Sequence, residues 1–334
     1  MKRMGNLYPE IKDPDNLRQA FLKAVRGKRN RPDVRAFAGD FESQIRNLHD
    51  QLDQMTLDVG HYRFFHVWDP KQRMICAASF PERVLHHALM NICGPALERI
   101  SVFDSYACRK GKGLHKAILR TKAFARKYPW YLKLDIRKYF DSIDHGILMK
   151  LLEKRFKDKN VLEIFSQIFN TYHTRPGKGL PIGNLVSQYM ANFYLSGFDH
   201  WIKETLRIPG YIRYMDDFVL FGHDKIYLKK ALKEVELYLY RNLQLVLKDD
   251  IQLNRSCFGI SFLGFRVSSS KIRLASRSKK RFVRKFKIYE QQWFKGNWTM
   301  QELARRMEPL VDFTRLADSH GFRRNLIKQF GVTL

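Results

Sequence analysis

Two hydrophobic rhythms alternate along the chain, and the switches between them mark its elements. Apolar residues recurring every three or four positions predict amphipathic helices, whereas alternation or short apolar runs predict strands. Residues 13–60 follow the helical rhythm with a polar face, broken once by the basic stretch "RGKRNRPDVR". "HYRFFHVWDPKQRMICAAS" predicts two strands joined by a turn at Asp69 and Pro70. Pro81 opens a helix through "PERVLHHALMNICGPAL", with His86 and His87 expected on its surface. "GKGLHKAILRTKAFARKYP" reads as a helix ending near Pro129, and "WYLKLDI" as a short strand. "HGILMKLLEKRF" and "VLEIFSQIFNTY" are amphipathic helices, and the glycine-rich loop "RPGKGLPIGN" leads into the helical "LVSQYMANFYLSGFDHWIKETL". "YIRYMDDFVLFG" gives two strands around an acidic pair, followed by the helix "IYLKKALKEVELYLYRNL". "ISFLGFRVSSSKIRLAS" reads as a hairpin with a serine-rich turn, and from about Ser276 the chain is helical and very basic. Helices mixed with mostly antiparallel strands place the chain in the α+β class.

Composition adds a partner to this picture. The 334 residues suffice for two or three domains, or for one multi-lobed enzyme with a sizeable core. Lys and Arg number 61 against 33 Asp and Glu, a net charge of +28 spread along the whole chain. A polyanion is the simplest partner for that excess. Cys76, Cys93, Cys108 and Cys257 form no CxxC pair, which fits a reducing compartment and argues against a zinc site or a disulfide framework. No apolar run approaches the roughly 20 residues of a membrane span, and the N-terminus lacks a signal peptide's apolar core. A cytoplasmic location without membrane contact is therefore expected.

The acidic pair is the first candidate chemistry. In a two-residue hairpin turn, Asp216 and Asp217 would project from the tip while apolar neighbours fix the strands. Two like charges that close repel unless a cation lies between them, and oxygen-only ligands suit Mg²⁺. The alternative is a plain turn dipeptide, since Asp is a good turn residue. A second acidic strand shifts the balance: "YLKLDIRKYFDSID" places Asp135 at the end of an apolar strand. Two strands delivering carboxylates to one sheet edge would make a site for two metals, suited to phosphoryl transfer. Asp141 and Asp144 are rival acids on the same segment, with Asp144 placed where a helix N-cap would be.

"YMDD" between apolar strands, preceded by "LDIRKYFDSI", resembles the reverse transcriptases, a right-hand polymerase fold of fingers, palm and thumb. The resemblance implies Asp135 and Asp216 as main metal ligands, completed by Asp217 and the backbone carbonyl of Ile136. It implies two Mg²⁺ ions, with Mn²⁺ as a substitute, and dNTP substrates. "KQRMI" resembles the fingers motif that meets the incoming triphosphate, through Lys71 and Arg73, and "YACRKGKGLHKA" the next block, with Arg109 and Lys112 as contacts. A point charge and a bidentate fork together suit a triphosphate. "GISFLGFRV" resembles the primer-grip hairpin, in which Gly264 allows close backbone approach. The implied organisation is an N-terminal helical extension (1–60), fingers (61–130), a palm with an antiparallel sheet and connecting helices 145–180 (131–267), and a short basic helical thumb (268–334).

Further residues of the same resemblance bear on fidelity. Phe140 stands where an aromatic blocks a sugar 2′-hydroxyl. The pattern of "LPIGNLVSQ" resembles the reverse transcriptases of diversity-generating retroelements, which implies Ile182, Gly183 and Gln188 as contacts of the incoming dNTP and template base. Those enzymes copy a template RNA with frequent errors opposite adenine, hold an RNA/cDNA hybrid, and act with a small basic accessory variability protein that assembles as a pentamer. An isoleucine cannot make the hydrogen bond an amide at position 182 could, a loss of about 0.5–1.5 kcal/mol. Competing readings are a retron, CRISPR-associated or abortive-infection reverse transcriptase, a non-catalytic RNA-binding protein on a polymerase scaffold, and a metal-dependent nuclease.

Overall fold

The computed structural model describes residues 3–68 and 72–330, in two units. Unit one comprises Met1–Arg109, Asp135–Leu206 and Lys233–Asp249, and unit two Lys110–Leu134, Arg207–Leu232 and Asp250–Leu334. No helix among the described residues is long and apolar enough to cross a membrane.

Unit one is built around the helix Phe80–Arg99. Helices Tyr8–Lys12, Pro14–Ala24, Pro32–Gly39 and Phe41–Asp53 cover it. Their helical rhythm is what buries them: Leu17, Ala20 and Ala24 on one, and Ile45, Leu48 and Leu52 on another, recur at i, i+3 and i+7 and are all inside. Asp13 caps the second helix by accepting from the Asp15 N–H at 2.7 Å, with Pro14 at the first helical position. Phe37 stacks on Phe21 and meets Phe80 edge-on at 5.2 Å. His86 is not on the surface: the helix turns it inward beside Glu82, Oε1 to Nε2 3.5 Å, because helices pack on both sides of Phe80–Arg99.

The same unit carries a two-stranded antiparallel ribbon, β1 (Arg63–Trp68) and β2 (Gln72–Ala77), in register from Arg63↔Ala77 to Trp68↔Gln72. The expected turn at Asp69 and Pro70, and Lys71 with it, lie outside the described residues. The expected helix after the glycine-rich loop is three pieces: Leu185–Tyr194, Ser196–His200 and a π-helical turn over Trp201–Thr205, where the Leu206 N–H reaches back five residues to the Trp201 carbonyl at 3.0 Å.

A four-stranded sheet of β3 (Trp130–Asp135), β4 (Gly210–Tyr214), β5 (Asp217–Gly222) and β6 (Gln252–Arg255), in the order β4-β5-β3-β6, belongs to unit two except for Asp135, the last residue of β3. The β4–β5 and β3–β6 pairs are antiparallel. Helix Leu114–Lys127 lies on this sheet through Phe124, whose ring centroid is 5.3 Å from that of Phe221. Strand β6 has no counterpart among the expected elements, since "QLNR" alternates too weakly and too briefly to register as a strand. The segment expected as one hairpin is two: β7 (Ile260–Phe262), β8 (Phe265–Val267) and β9 (Ile272–Leu274) form a three-stranded sheet. Gly264, at φ +85°, leaves no room for a Cβ, which would stand 2.8 Å from Ser278 Oγ. The basic helix Ser276–Phe294 buries Phe282 and Phe286 against Leu326, Met307 and Phe322 from helices Met300–Arg315 and His320–Phe330.

Candidate active site

The acidic pair stands at a hairpin tip. Tyr214 pairs with Asp217, so Met215 and Asp216 are the two loop residues. Met215 has φ +59°, the conformation a primed turn demands of its first central residue. Ile212, Phe218, Val219, Leu220 and Phe221 behind the tip are fully buried and anchor both strands.

Asp135 ends β3, the strand beside β5 in the sheet. Lys133 Nζ lies 3.3 Å from Asp217 Oδ1. Residues two apart on a strand share a face at a separation of about 6.6 Å. Asp135 follows Lys133 by two residues along β3. Its own Oδ1 lies 2.6 Å from Lys248 Nζ. Backbone bonds from the Lys248 N–H to the Asp135 carbonyl (2.8 Å) and from the Arg137 N–H to the Val246 carbonyl (2.8 Å) flank Ile136 and fix the chain as it leaves the strand.

Among the described residues, no three His, Cys, Asp or Glu side chains are gathered closely enough to hold a metal as they stand. The donors proposed for one are carboxylate and carbonyl oxygens, which suit Mg²⁺, and two of the carboxylates already face a cationic group. The donor set thus fits a hard divalent ion that would displace or supplement the two ammonium groups.

Beyond Asp135 the chain enters a cleft within unit one, about 1210 Å³ in volume. Its walls include Phe64, Gln72, Arg73 and Met74 of the ribbon, Arg137, Lys138, Asp141 and Ser142, the Thr171–Arg175 loop, Lys178, Ile182, Gln244 and Val246. Five Lys and Arg side chains against the single carboxylate of Asp141 give the cleft an excess of positive charge. Backbone bonds assemble it. The Leu180 N–H donates to the Phe140 carbonyl and the Gly179 N–H to the Ile143 carbonyl, both at 2.8 Å, and the Cys76 N–H donates to the Ile182 carbonyl at 2.8 Å. Gly183, at φ +119°, lets β2 approach: a Cβ there would stand 2.8 Å from Ile75 Cγ2.

Arg73 and Ile182 thus share one cleft wall system, and Phe140 adjoins it as a half-buried residue next to Asp141. Gln188 lies on helix Leu185–Tyr194, half-buried and outside the cleft lining. Lys112 belongs to unit two, ahead of helix Leu114–Lys127. Arg109 lies in the loop after helix Phe80–Arg99. Its guanidinium donates to Glu98 (2.8 Å) and to the carbonyls of Val102 (2.6 Å) and Ser105 (2.8 Å), which braces the loop. Asp144 is a cap, its Oδ1 accepting from the Ile147 N–H at 2.9 Å. Arg137, Lys138, Arg175 and Lys178 escaped the sequence reading. The signal available was their clustering beside Asp135 and in "RPGKG".

The chain is similar to the putative COX1/OXI3 intron 1 protein of Saccharomyces cerevisiae, 22% identical over 174 residues, covering 49% of this chain and 21% of that one. It is 24% identical to protein YkfC of Escherichia coli over 172 residues, covering 46% of this chain and 45% of that one. It is also 24% identical to the group II intron-encoded protein LtrA of Lactococcus lactis over 140 residues, covering 40% and 23%. The chain thus spans less than half the length of each of these relatives. Its fold is similar to that of apo telomerase from Candida tropicalis, with a TM-score of 0.53 at 10% identity over 88% of this chain and 65% of that one. Residues 69–279, more than half of the chain, match the family model described as reverse transcriptase (RNA-dependent DNA polymerase), and the chain belongs to that family.

Proposed function

We propose that the protein is an RNA-directed DNA polymerase whose metal-holding oxygens are those of Asp135, Asp216, Asp217 and the Ile136 carbonyl. The observation that carries this is the Lys133–Asp217 ion pair, with Asp135 two residues further on the same strand. Bound divalent ions would neutralise a triphosphate and favour ionisation of a primer 3′-hydroxyl. The chain's own groups bind and orient. Lys71 and Arg73 face the triphosphate, Arg137, Lys138, Arg175 and Lys178 hold phosphates in the cleft, and Phe140 excludes a 2′-hydroxyl. On this reading residues 61–130 are fingers, 131–267 palm and 268–334 thumb, with 1–60 an N-terminal extension. The test is primer extension on an RNA template by the purified protein. Mg²⁺-dependent dNTP incorporation is expected, and none with either Mg²⁺ or Mn²⁺ would overturn the proposal.

The finer reading is a diversity-generating retroelement enzyme, making adenine-mutagenic cDNA in the cytoplasm with a pentameric basic accessory protein. What supports it is Ile182, an aliphatic residue on the cleft wall with its carbonyl tied to Cys76, where a hydrogen-bonding amide could otherwise hold the nascent pair. Ile182→Gln should lower misincorporation opposite template adenine by up to about tenfold, the worth of one hydrogen bond. An unchanged error spectrum on sequencing the cDNA would count against this subtype while leaving polymerase activity intact.

A further inference from the structure

Arg213 is the largest side chain among the described residues to be fully buried. It lies on β4, sharing a sheet face with Tyr211 and, across the ladder, with Phe218 and Leu220. A permanent cation taken out of water is costly unless it is hydrogen-bonded or paired. One bond is specific: Arg213 Nη1 donates to the Met215 carbonyl at 3.0 Å.

That carbonyl is in the loop that carries the acids. Met215 holds φ +59°, a left-handed backbone that a residue with a side chain seldom adopts without support. Its carbonyl and the amide of Asp216 form one rigid peptide plane. Fixing the carbonyl therefore fixes the plane from which the Asp216 side chain departs. We propose that Arg213 is a positioning residue for the metal site. From beneath the sheet it clamps the Met215–Asp216 peptide, so that the Asp216 carboxylate is already aimed when a divalent cation arrives. The inference rests on the metal reading of Asp216 given above. It assigns Arg213 no contact with substrate or metal; the residue acts through the turn.

The prediction separates a clamp from mere filling of the core. Binding of Mn²⁺ to the protein without nucleic acid is read by the loss of the free-ion paramagnetic resonance signal, with half-saturating Mg²⁺ in primer extension as the second readout. Arg213→Met removes the donor and should weaken Mn²⁺ binding about tenfold, the scale of one charge-assisted hydrogen bond. Arg213→Gln retains an N–H donor and should recover most of the loss. If Arg213→Met does not fold, Arg213→Leu, which likewise lacks a donor, replaces it, with weaker binding again expected. Parent-like Mn²⁺ binding in a folded Arg213→Met or Arg213→Leu protein overturns the proposal. Failure of Arg213→Gln to recover any binding also overturns it, since the carbonyl bond would then not be what matters. Asp216→Asn is the reference. If it loses Mn²⁺ binding while the Arg213 variants keep it, the clamp alone is refuted; if it keeps binding, the metal reading falls and the clamp with it.

Discussion

At the scale of single residues, backbone geometry decides what the cleft tolerates. Gly183 combines φ +119° with a Cβ position 2.8 Å from Ile75 Cγ2 and 3.2 Å from the Cys76 carbonyl. Gly183→Ala should therefore destabilise the protein by about 1–3 kcal/mol, because neither the dihedral nor the β2 backbone can give way cheaply. Urea unfolding checks this, and an unchanged midpoint would mean that β2 yields. The placement of Asp135, Asp216 and Asp217 at strand ends was legible because charges interrupting apolar strands break a strong local pattern. The environment of Arg109 was not. Its partners, Glu98 and two loop carbonyls, are set by how the chain turns after helix Phe80–Arg99, and nothing in "YACRKGKG" encodes that turn. Arg213 was equally hidden, since a basic residue inside an apolar strand carries no sign of whether it faces solvent or core.

At the scale of elements, helix Phe80–Arg99 is covered on several sides, which buries His86 and makes that element sensitive to acid. Burial lowers the His86 pKa from 6.5 to about 3, and burial with neighbouring Lys28 and Lys23 lowers that of His87 to about 4. Between these values and 6.5 the unfolded chain takes up protons that the folded chain refuses. Stability is thus complete above about pH 6.5 and falls as pH drops through that window. Glu82, whose pKa burial raises, acts in the opposite sense, so the histidine term is isolated by substitution. The melting temperature should fall from pH 7 to pH 5, and His86→Asn should make that fall shallower; identical slopes would contradict the account. Long helices with regular apolar spacing were legible, as were strands with dense aromatic content. Strand β6 and the π-helical turn were not, because each depends on neighbours distant in sequence, and a periodic pattern cannot distinguish an α-helix that continues from one that widens into a π turn.

At the scale of the molecule, the net charge of +28 and a cleft with five basic side chains are what the proposed function would use to hold nucleic acid. Affinity for template RNA should fall steeply with salt, with a logarithmic slope of about −0.7 to −0.9 for each phosphate neutralised. Filter binding across a salt series measures it, and a flat profile would assign the charge to something else. The polymerase fold itself was legible from the order of the acidic and basic motifs, whereas the division into two units, with its boundary between Leu134 and Asp135, was not. The central claim is that Asp135, Asp216 and Asp217 hold the metal on which DNA synthesis depends. It is tested most directly by single-nucleotide extension of a DNA primer on RNA with the Asp216→Asn protein at saturating Mg²⁺. The account predicts that extension is abolished while RNA affinity is unchanged; extension at the parent rate would contradict it.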